Sequence, residues 1–498
     1  MGSKFAAYNK LETIFKEKNT LEEILAILHW DAAVIMPKGG AESRSEHIAT
    51  LHQLIHQTLQ KKELHDLFLE AKEEIDLLNV WQKANWHEMH RLWQHAISIP
   101  KDLVYAQSKA NTRCEMIWRE ARANNDWNSL LPYITEVVSL TRNVALAKSE
   151  LLKITPYDAL LDQYDPGRRS TEIDPLFKEL NAFLPDFIPI AQENSRQRPS
   201  LSNQYFDINK QKQIGIRIMK MLGFSFENGR LDESHHPFCG GIPSDIRMTT
   251  RYQSDNFINA LMGIIHETGH GIYEANLPVE WRKLPVGQAR GMSIHESQSL
   301  FMEMQIGLSD AFLKSIFPWI KEELLTPSIN WNIDHFISYA RSVSPSLIRV
   351  DADEVTYPAH ILLRYELEKS LIEQKIEVRD IPSYWHESMK RLLGIEVSSD
   401  KDGCMQDIHW YGGDFGYFPT YSLGAITAAQ LRFSMEKSVT GFWSLVENRE
   451  YGPIISWLKT HIHELGSVFS CNELLIHSTK EPLNIKYYFD HLKERYLR

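Results

Sequence analysis

Apolar residues recur at three- and four-residue intervals through 11–29, 43–61, 80–94, 126–152 and 205–222 of this 498-residue chain. That spacing lays one apolar stripe along each segment, so the first 225 residues read as a succession of amphipathic helices. Stripes of this kind must be buried against one another, which predicts a mainly helical body. Breakers fall between them: Pro37-Lys38-Gly39-Gly40, Pro100, Pro166-Gly167 and the polar stretch Ser195–Asn203. None is long enough for a free linker, and no repeat or low-complexity tract is present.

The texture changes near Phe226. Residues 226–252 are rich in turn formers and contain an extended piece, Ile246–Tyr252. A second β-branched, turn-flanked piece lies at Ile348–Tyr357, and together they predict a small sheet beside the helices. Helical patterning then resumes to the C-terminus, broken by the Gly- and aromatic-rich Cys404–Tyr421. The expected architecture is mainly α: a two-lobed helical body with a small β-sheet near a cleft. It is expected to form one unit over 1–498, with a helical part at about 1–225 and a site-bearing part at about 226–498.

Composition excludes several functions. A net charge of −11 disfavours a broad nucleic-acid surface, which needs positive charge. No apolar run approaches the ~18–20 residues that cross a bilayer. The start, MGSKFAAYNKLETIF, runs quickly into Lys and Glu and lacks the apolar stretch of a signal peptide. A cytoplasmic chain without a membrane partner is expected. Cys114, Cys239, Cys404 and Cys471 are scattered without a C-x-x-C pair, so neither a disulfide framework nor a thiolate metal site is expected.

Chemistry concentrates in Asp255–Asn276, which reads as one helix capped by Asp255 or Ser254 and stopped by Asn276 and Pro278. Ile258, Leu261, Met262, Ile265 and Ile272 give it a buried face. His266 and His270, four residues apart, project from one side about a turn apart. Two imidazoles so placed can meet one tetrahedral metal ion, with Glu267 beside the first and turned to reach water there. With 21 His in 498 residues, chance alone gives about 0.1 such motifs per chain. Placement on an apolar helix strengthens the reading, because unpaired imidazoles and a carboxylate are costly there. Gly269 and Gly271 each cost about 1 kcal/mol relative to Ala, which suggests a close approach of backbone or substrate.

A third ligand is expected downstream. Glu296, in Ser293-Ile-His-Glu-Ser-Gln, is the candidate, and Glu303 is the runner-up. Ser293 and Glu296 also form an S-x-x-E capping box, so spacing alone leaves a capping role open. His87-Glu88-Met89-His90 has only three-residue spacing and His463-Glu464 has no partner four residues on. Both read as surface histidines.

The H-E-T-G-H motif followed by I-H-E-S-Q resembles the carboxypeptidase Taq family of metallopeptidases. Further motifs match in order: His236-Pro237-Phe238, Asp245-Ile-Arg247-Met-Thr249, Ile348-Arg349 leading to Ala352-Asp353-Glu354, and Gly403-Cys-Met-Gln406-Asp407-Ile-His409-Trp410. Trp30-Asp31, with Met36-Pro37 and Gly39-Gly40-Ala41 behind it, is also similar, so the resemblance spans nearly the whole chain. It implies a metal-dependent carboxypeptidase that removes single residues from peptides with a free C-terminus. The implied fold is the deep-grooved helical type of neurolysin-like peptidases, usually a homodimer. One divalent ion per chain is implied, zinc first and cobalt as the alternative, held by His266, His270 and Glu296 with Glu267 as general base.

Recognition of a free carboxylate is best done by a bidentate arginine. Arg349 is the first choice and Arg247 the second, although either could instead pair with a neighbouring aspartate. His409 and Tyr421 are candidates to donate hydrogen bonds to the oxyanion, with packed core as the alternative. His236 is expected to line the substrate groove. Two rival readings remain: an oligopeptidase or endopeptidase with the same metal site, and a non-catalytic metal-containing peptide-binding protein. Glu267 speaks against the latter, because a purely structural site needs no base.

Overall fold

The computed structural model describes residues 5–195, 204–234, 236–326 and 329–497. Each of the five apolar stripes is a helix: Ala6–Val34, Ala41–Leu59, Val80–Ile97, Trp127–Leu152 and Ile208–Met221. The breakers act as expected. Lys38–Gly40 forms one tight turn, and Pro100 immediately precedes the helix Lys101–Asn124. Of the polar stretch 195–203, only 195 belongs to the described part before the gap, and 196–203 lie outside the described residues.

One long helix, Ser170–Asn194, runs through Pro175, Pro185 and Pro189, each of which removes a backbone hydrogen bond. Its buried stripe explains why it persists: Ile173, Phe177, Leu180, Leu184, Phe187 and Ile188 all face the core. Burial of each is worth about 1.5–3 kcal/mol, against about 3 kcal/mol for an interior proline. Packing therefore overrides the local penalty.

The sheet has three strands, β1 (Gly229–Glu233), β2 (Phe238–Ile242) and β3 (Asp245–Thr250), in the order β1-β3-β2. β3 matches the expected extended piece. It pairs parallel with β1 and antiparallel with β2. Ile246 and Met248 on β3 pack with Phe224, Leu231 and Ile264 into a small core. The second expected strand, Ile348–Tyr357, is not one. Arg349–Asp351 is a 3-10 turn, and Asp353 Oδ1 then accepts hydrogen bonds from the Val355 and Thr356 amides at 3.0 Å. This carboxylate turn launches the helix Tyr357–Ile372, with Pro358 in its first turn. Here β-branched composition imitates a strand while local capping makes a helix.

The N-terminal helices carry their own apolar core, built from Leu11, Phe15, Leu64, Phe68, Trp86 and Met89 and closed by Leu284 and Val286. A larger core runs through the rest of the chain. At its centre three helices cross: Phe257–Ala275 (the histidine helix), Gly291–Leu300 (the glutamate helix) and Pro419–Ser438. The glutamate helix continues as a π-helix, Phe301–Gly307. Among the described residues no helix is long and apolar enough to cross a membrane.

The crossings depend on glycine. A Cβ at Gly269 would lie 2.4 Å from the Gln298 carbonyl oxygen and 2.7 Å from Ser299 Cα. One at Gly424 would lie 2.8 Å from Glu296 Cβ. Gly271 instead makes room for Met248 and Phe224 under the sheet, not for substrate. Gly269→Ala is therefore expected to lower stability by about 1–3 kcal/mol, the usual cost of overpacking. Gly39→Ala, whose Cβ would meet nothing within 4 Å, serves as the control. Denaturant unfolding checks both, and wild-type stability of Gly269→Ala would contradict the close crossing.

Candidate metal centre

The cap of the histidine helix is Asn256, one or two residues beyond the expected Asp255 or Ser254. Its side chain accepts from the Ile258 and Asn259 amides at 3.0 and 3.3 Å. The predicted apolar face is buried, and so are Ala260, Ile264, Thr268 and Tyr273 on other sides. A helix buried all round lies within the core. Glu267 and His270 are therefore buried, and the His266 side chain remains 21% exposed.

Their donors converge with Glu296. His270 Nε2 lies 3.4 Å and His266 Nε2 3.9 Å from Glu296 Oε2. One donor atom from each of the three residues lies within 4.8 Å of the others. A hydrogen-bonded pair would sit at about 2.7–3.2 Å, whereas two ligands of one tetrahedral ion are about 3.4 Å apart. The spacing suits a shared ion. Among the described residues Glu267 Oε2 and His270 Nδ1 find no hydrogen-bond partner though buried, a costly arrangement unless something else occupies the pocket.

Glu303, the runner-up ligand, stands behind His266 instead: His266 Nδ1 lies 2.7 Å from Glu303 Oε2. A carboxylate there accepts a hydrogen bond from Nδ1–H, the tautomer that leaves Nε2 free as a lone-pair donor. His270 stacks on His295 with ring centres 4.4 Å apart, and His295 Nε2 reaches Glu274 Oε1 at 2.8 Å. Ser293 is no cap for Glu296. The glutamate helix begins at Gly291 (φ +56°), and Ser293 Oγ donates to Asp165 Oδ1 at 2.7 Å. That closes the capping alternative.

Charge in the pocket is skewed toward carboxylate. Burial pushes the Glu267 carboxyl up to about 7; the His266 charge opposes this and those of Glu296 and Glu303 reinforce it. Burial would lower His266, but the Glu296 charge and the Glu303 hydrogen bond raise it to about 10. Burial resists ionisation of Glu296, yet His266 and His270 hold it down to about 2. Burial, with His295 close by, pushes His270 down to about 3. Glu296 and Glu267, with Glu303 behind His266, attract positive charge, and two imidazoles with a carboxylate form a donor set that fits a divalent ion such as zinc.

Arg349 is buried in a knot with Asp407. Its Nε and Nη2 donate to Asp407 Oδ1 at 3.0 and 2.9 Å, and its Nη1 donates to the Tyr357 hydroxyl at 2.8 Å. Arg364 Nε donates to Asp407 Oδ2 at 2.7 Å. The Tyr421 ring centre lies 5.3 Å from the Arg349 guanidinium. Tyr357, Tyr417 and Tyr421 all feel the charge of Glu296, so the knot and the metal donors share one neighbourhood. His409 packs on Phe418 at 4.6 Å. Burial pushes it down to about 4; Asp407 opposes the shift and the two arginines reinforce it.

Arg247 is engaged elsewhere: it donates to Asp245 and lies 4.5 Å over the Trp30 ring, tying the first helix to the sheet. His236 is exposed just before β2. His463 is not on the surface; it is buried, its Nε2 2.9 Å from Gln298 Oε1. His90 is half-buried and lies flat on Trp86, while His87 is exposed as expected. The sequence reading missed Tyr357, Tyr417, Arg364, Asp407 and His295. Asp407 and His295 stood inside motifs already singled out, so a signal for them existed.

A buried helix with two histidines and an adjacent glutamate, completed by a glutamate from the next helix, defines a metallopeptidase of the H-E-x-x-H type. A sequence model of the carboxypeptidase Taq (M32) metallopeptidases matches residues 10–496, and the chain belongs to that family. It is 35% identical over 507 aligned positions to thermostable carboxypeptidase 1 of Thermus thermophilus, covering 99% of this chain and 98% of that one. It is 34% identical over 489 positions to carboxypeptidase 1 of Bacillus subtilis, covering 97% and 96%. The solved structure of Trypanosoma cruzi metallocarboxypeptidase 1 superposes with a TM-score of 0.96 at 36% identity, covering 99% of this chain and all of that one. The chain is thus a metallocarboxypeptidase.

Asp407→Asn would strand two buried guanidiniums and should cost about 3–5 kcal/mol at neutral pH. Burial opposes ionisation of Asp407, but Arg364 and Arg349 hold its carboxyl well below the usual range. A depressed folded value gives stability that is complete above the unfolded value of about 3.9 and is lost as pH falls below it. The stability gap between wild type and Asp407→Asn should narrow as pH drops from about 5 to 3. A gap independent of pH would show that the knot does not hold that charge.

Proposed function

We propose that this metallocarboxypeptidase holds one zinc ion per chain at His266, His270 and Glu296 and releases single residues from free peptide C-termini. The observation that carries the reading is Glu267 Oε2, buried beside three converging donors and without a hydrogen-bond partner among the described residues. When bound, the ion supplies Lewis acidity toward water and the scissile carbonyl. Glu267, raised to about 7 by burial, takes a proton from water and returns it to the leaving amine. Glu303 fixes the His266 tautomer. A set of two histidines and one glutamate favours zinc, with cobalt as the alternative.

Arg349 anchors the terminal carboxylate. It shares Asp407 with Arg364, which leaves one positive charge beside Tyr357. Arg247 is the weaker anchor, since its fork faces Asp245. Burial keeps the Tyr421 hydroxyl protonated; with neutral His409 it donates to the developing oxyanion. His236 contacts the peptide at the groove mouth. The reading also takes the homodimer that the motif resemblance implies and a reducing cytoplasm, which four free thiols suit.

Paired peptides ending in a free acid or an amide test the reading. The acid should be cut at least about tenfold faster, as expected for a charged hydrogen bond of roughly 1.5–3 kcal/mol. Arg349→Ala should shrink that preference, and Glu267→Gln should lower kcat about 10²–10⁴-fold. Equal internal cleavage of both peptides would make the enzyme an endopeptidase and overturn the proposal.

A further inference from the structure

Beside the π-helix, lined by its Gln305 and by Ser309 just past its end, lies a cavity of about 660 Å³. Its floor holds Arg341, Arg432 and Arg495, whose side chains are only 14%, 4% and 6% exposed. Its rim carries carboxylates, with Asp310 59% and Glu494 46% exposed. Of the carboxylates paired with these arginines only Glu354, behind Arg495, is as deep, so the net charge is positive at the floor and negative at the rim. Among the described residues, Arg341 Nη1 and Arg495 Nε and Nη2 make no hydrogen bond, because the bonds of these side chains run through their other nitrogens. Trp443 and Ile337 add apolar wall.

Free guanidinium edges select a carboxylate or phosphate. A bare polyanion would meet the rim carboxylates, and a bare cation would meet the arginines. A small zwitterion, with a carboxylate at one end and an ammonium at the other, matches both layers. We propose that this cavity binds a free α-amino acid, the chemical class that a carboxypeptidase releases. Its carboxylate meets Arg341 and Arg495, its ammonium the rim carboxylates, and its side chain Trp443.

The site is wired to the metal centre. Arg495 Nη1 donates to the Met304 carbonyl at 2.6 Å, Arg432 Nε to Gln305 Oε1 at 3.3 Å and Arg341 Nε to the Leu308 carbonyl at 2.6 Å. Two of these bonds grip the π-helix segment that presents Glu303 to His266, and the third holds Leu308 at its C-terminal end. Such segments are frequent at functional sites. An amino acid that draws on Arg341 and Arg495 therefore changes how Glu303 is held, and it acts on kcat rather than by competing for the peptide groove.

Calorimetric titration of the holoenzyme with leucine tests this, beside N-acetylleucine (anion only), leucinamide (cation only) and inorganic phosphate. The expected result is a leucine-binding event that Arg341→Met and Trp443→Ala each weaken at least about tenfold, the loss of one charged hydrogen bond or a comparable contact. Trp443 makes no bond to the π-helix, so its variant keeps the test valid if Arg341→Met fails to fold. In kinetics, leucine should change kcat of the wild type and not of Trp443→Ala. Leucine binding unchanged in both variants would overturn the proposal, as would equally tight binding of N-acetylleucine or phosphate at this site.

Discussion

Glu296 reaches the two histidines because two helices pass with almost no space between their backbones. Gly269 sits where any side chain would strike the main chain at Gln298 and Ser299, and Gly424 sits against Glu296 itself. With those contacts closed, three donors from two helices come within 4.8 Å without help from a loop. Rigid elements place a site more accurately than loops do. Asp165 holds Ser293 at one end of the glutamate helix and His463 holds Gln298 further along, so its position along the histidine helix is fixed twice.

Electrostatics follows from that frame. Crowding Glu267, Glu296 and Glu303 around two imidazoles builds a negative pocket in the core, tolerable when a cation balances it. Next to it, Arg349 and Arg364 around Asp407 build a positive one. Tyr357 and Tyr421 sit against Arg349, and Tyr417 packs on Tyr421. On the proposed reading, a peptide spans this dipole with its terminal carboxylate at the arginines and its last amide bond at the donors. Such opposed charges orient a substrate before any chemistry begins.

The parts legible in the sequence were those with a period or a spacing. Five helical stripes and the H-E-x-x-H helix follow from recurrence of apolar residues and from the four-residue interval between His266 and His270. Where two local rules competed, composition misled. Ile348–Tyr357 looked extended until Asp353 turned it into a helix start, and Ser170–Asn194 hid behind its prolines. Ser293 looked like a cap because its true partner, Asp165, is 128 residues away in the chain. Glu303 and Arg364 matter through contacts that no spacing reveals. The resemblance in the motifs supplied Glu296, which spacing alone had left open.

X-ray absorption at the metal edge of the purified protein tests the central claim most directly. The account predicts a light-atom shell with two imidazole nitrogens and carboxylate oxygen at about 2.0–2.2 Å. In Glu296→Ala the two-imidazole scattering should remain only in whatever metal is still bound, with occupancy sharply reduced. A shell containing sulfur, or one with a different number of imidazoles, would contradict the assignment of His266, His270 and Glu296.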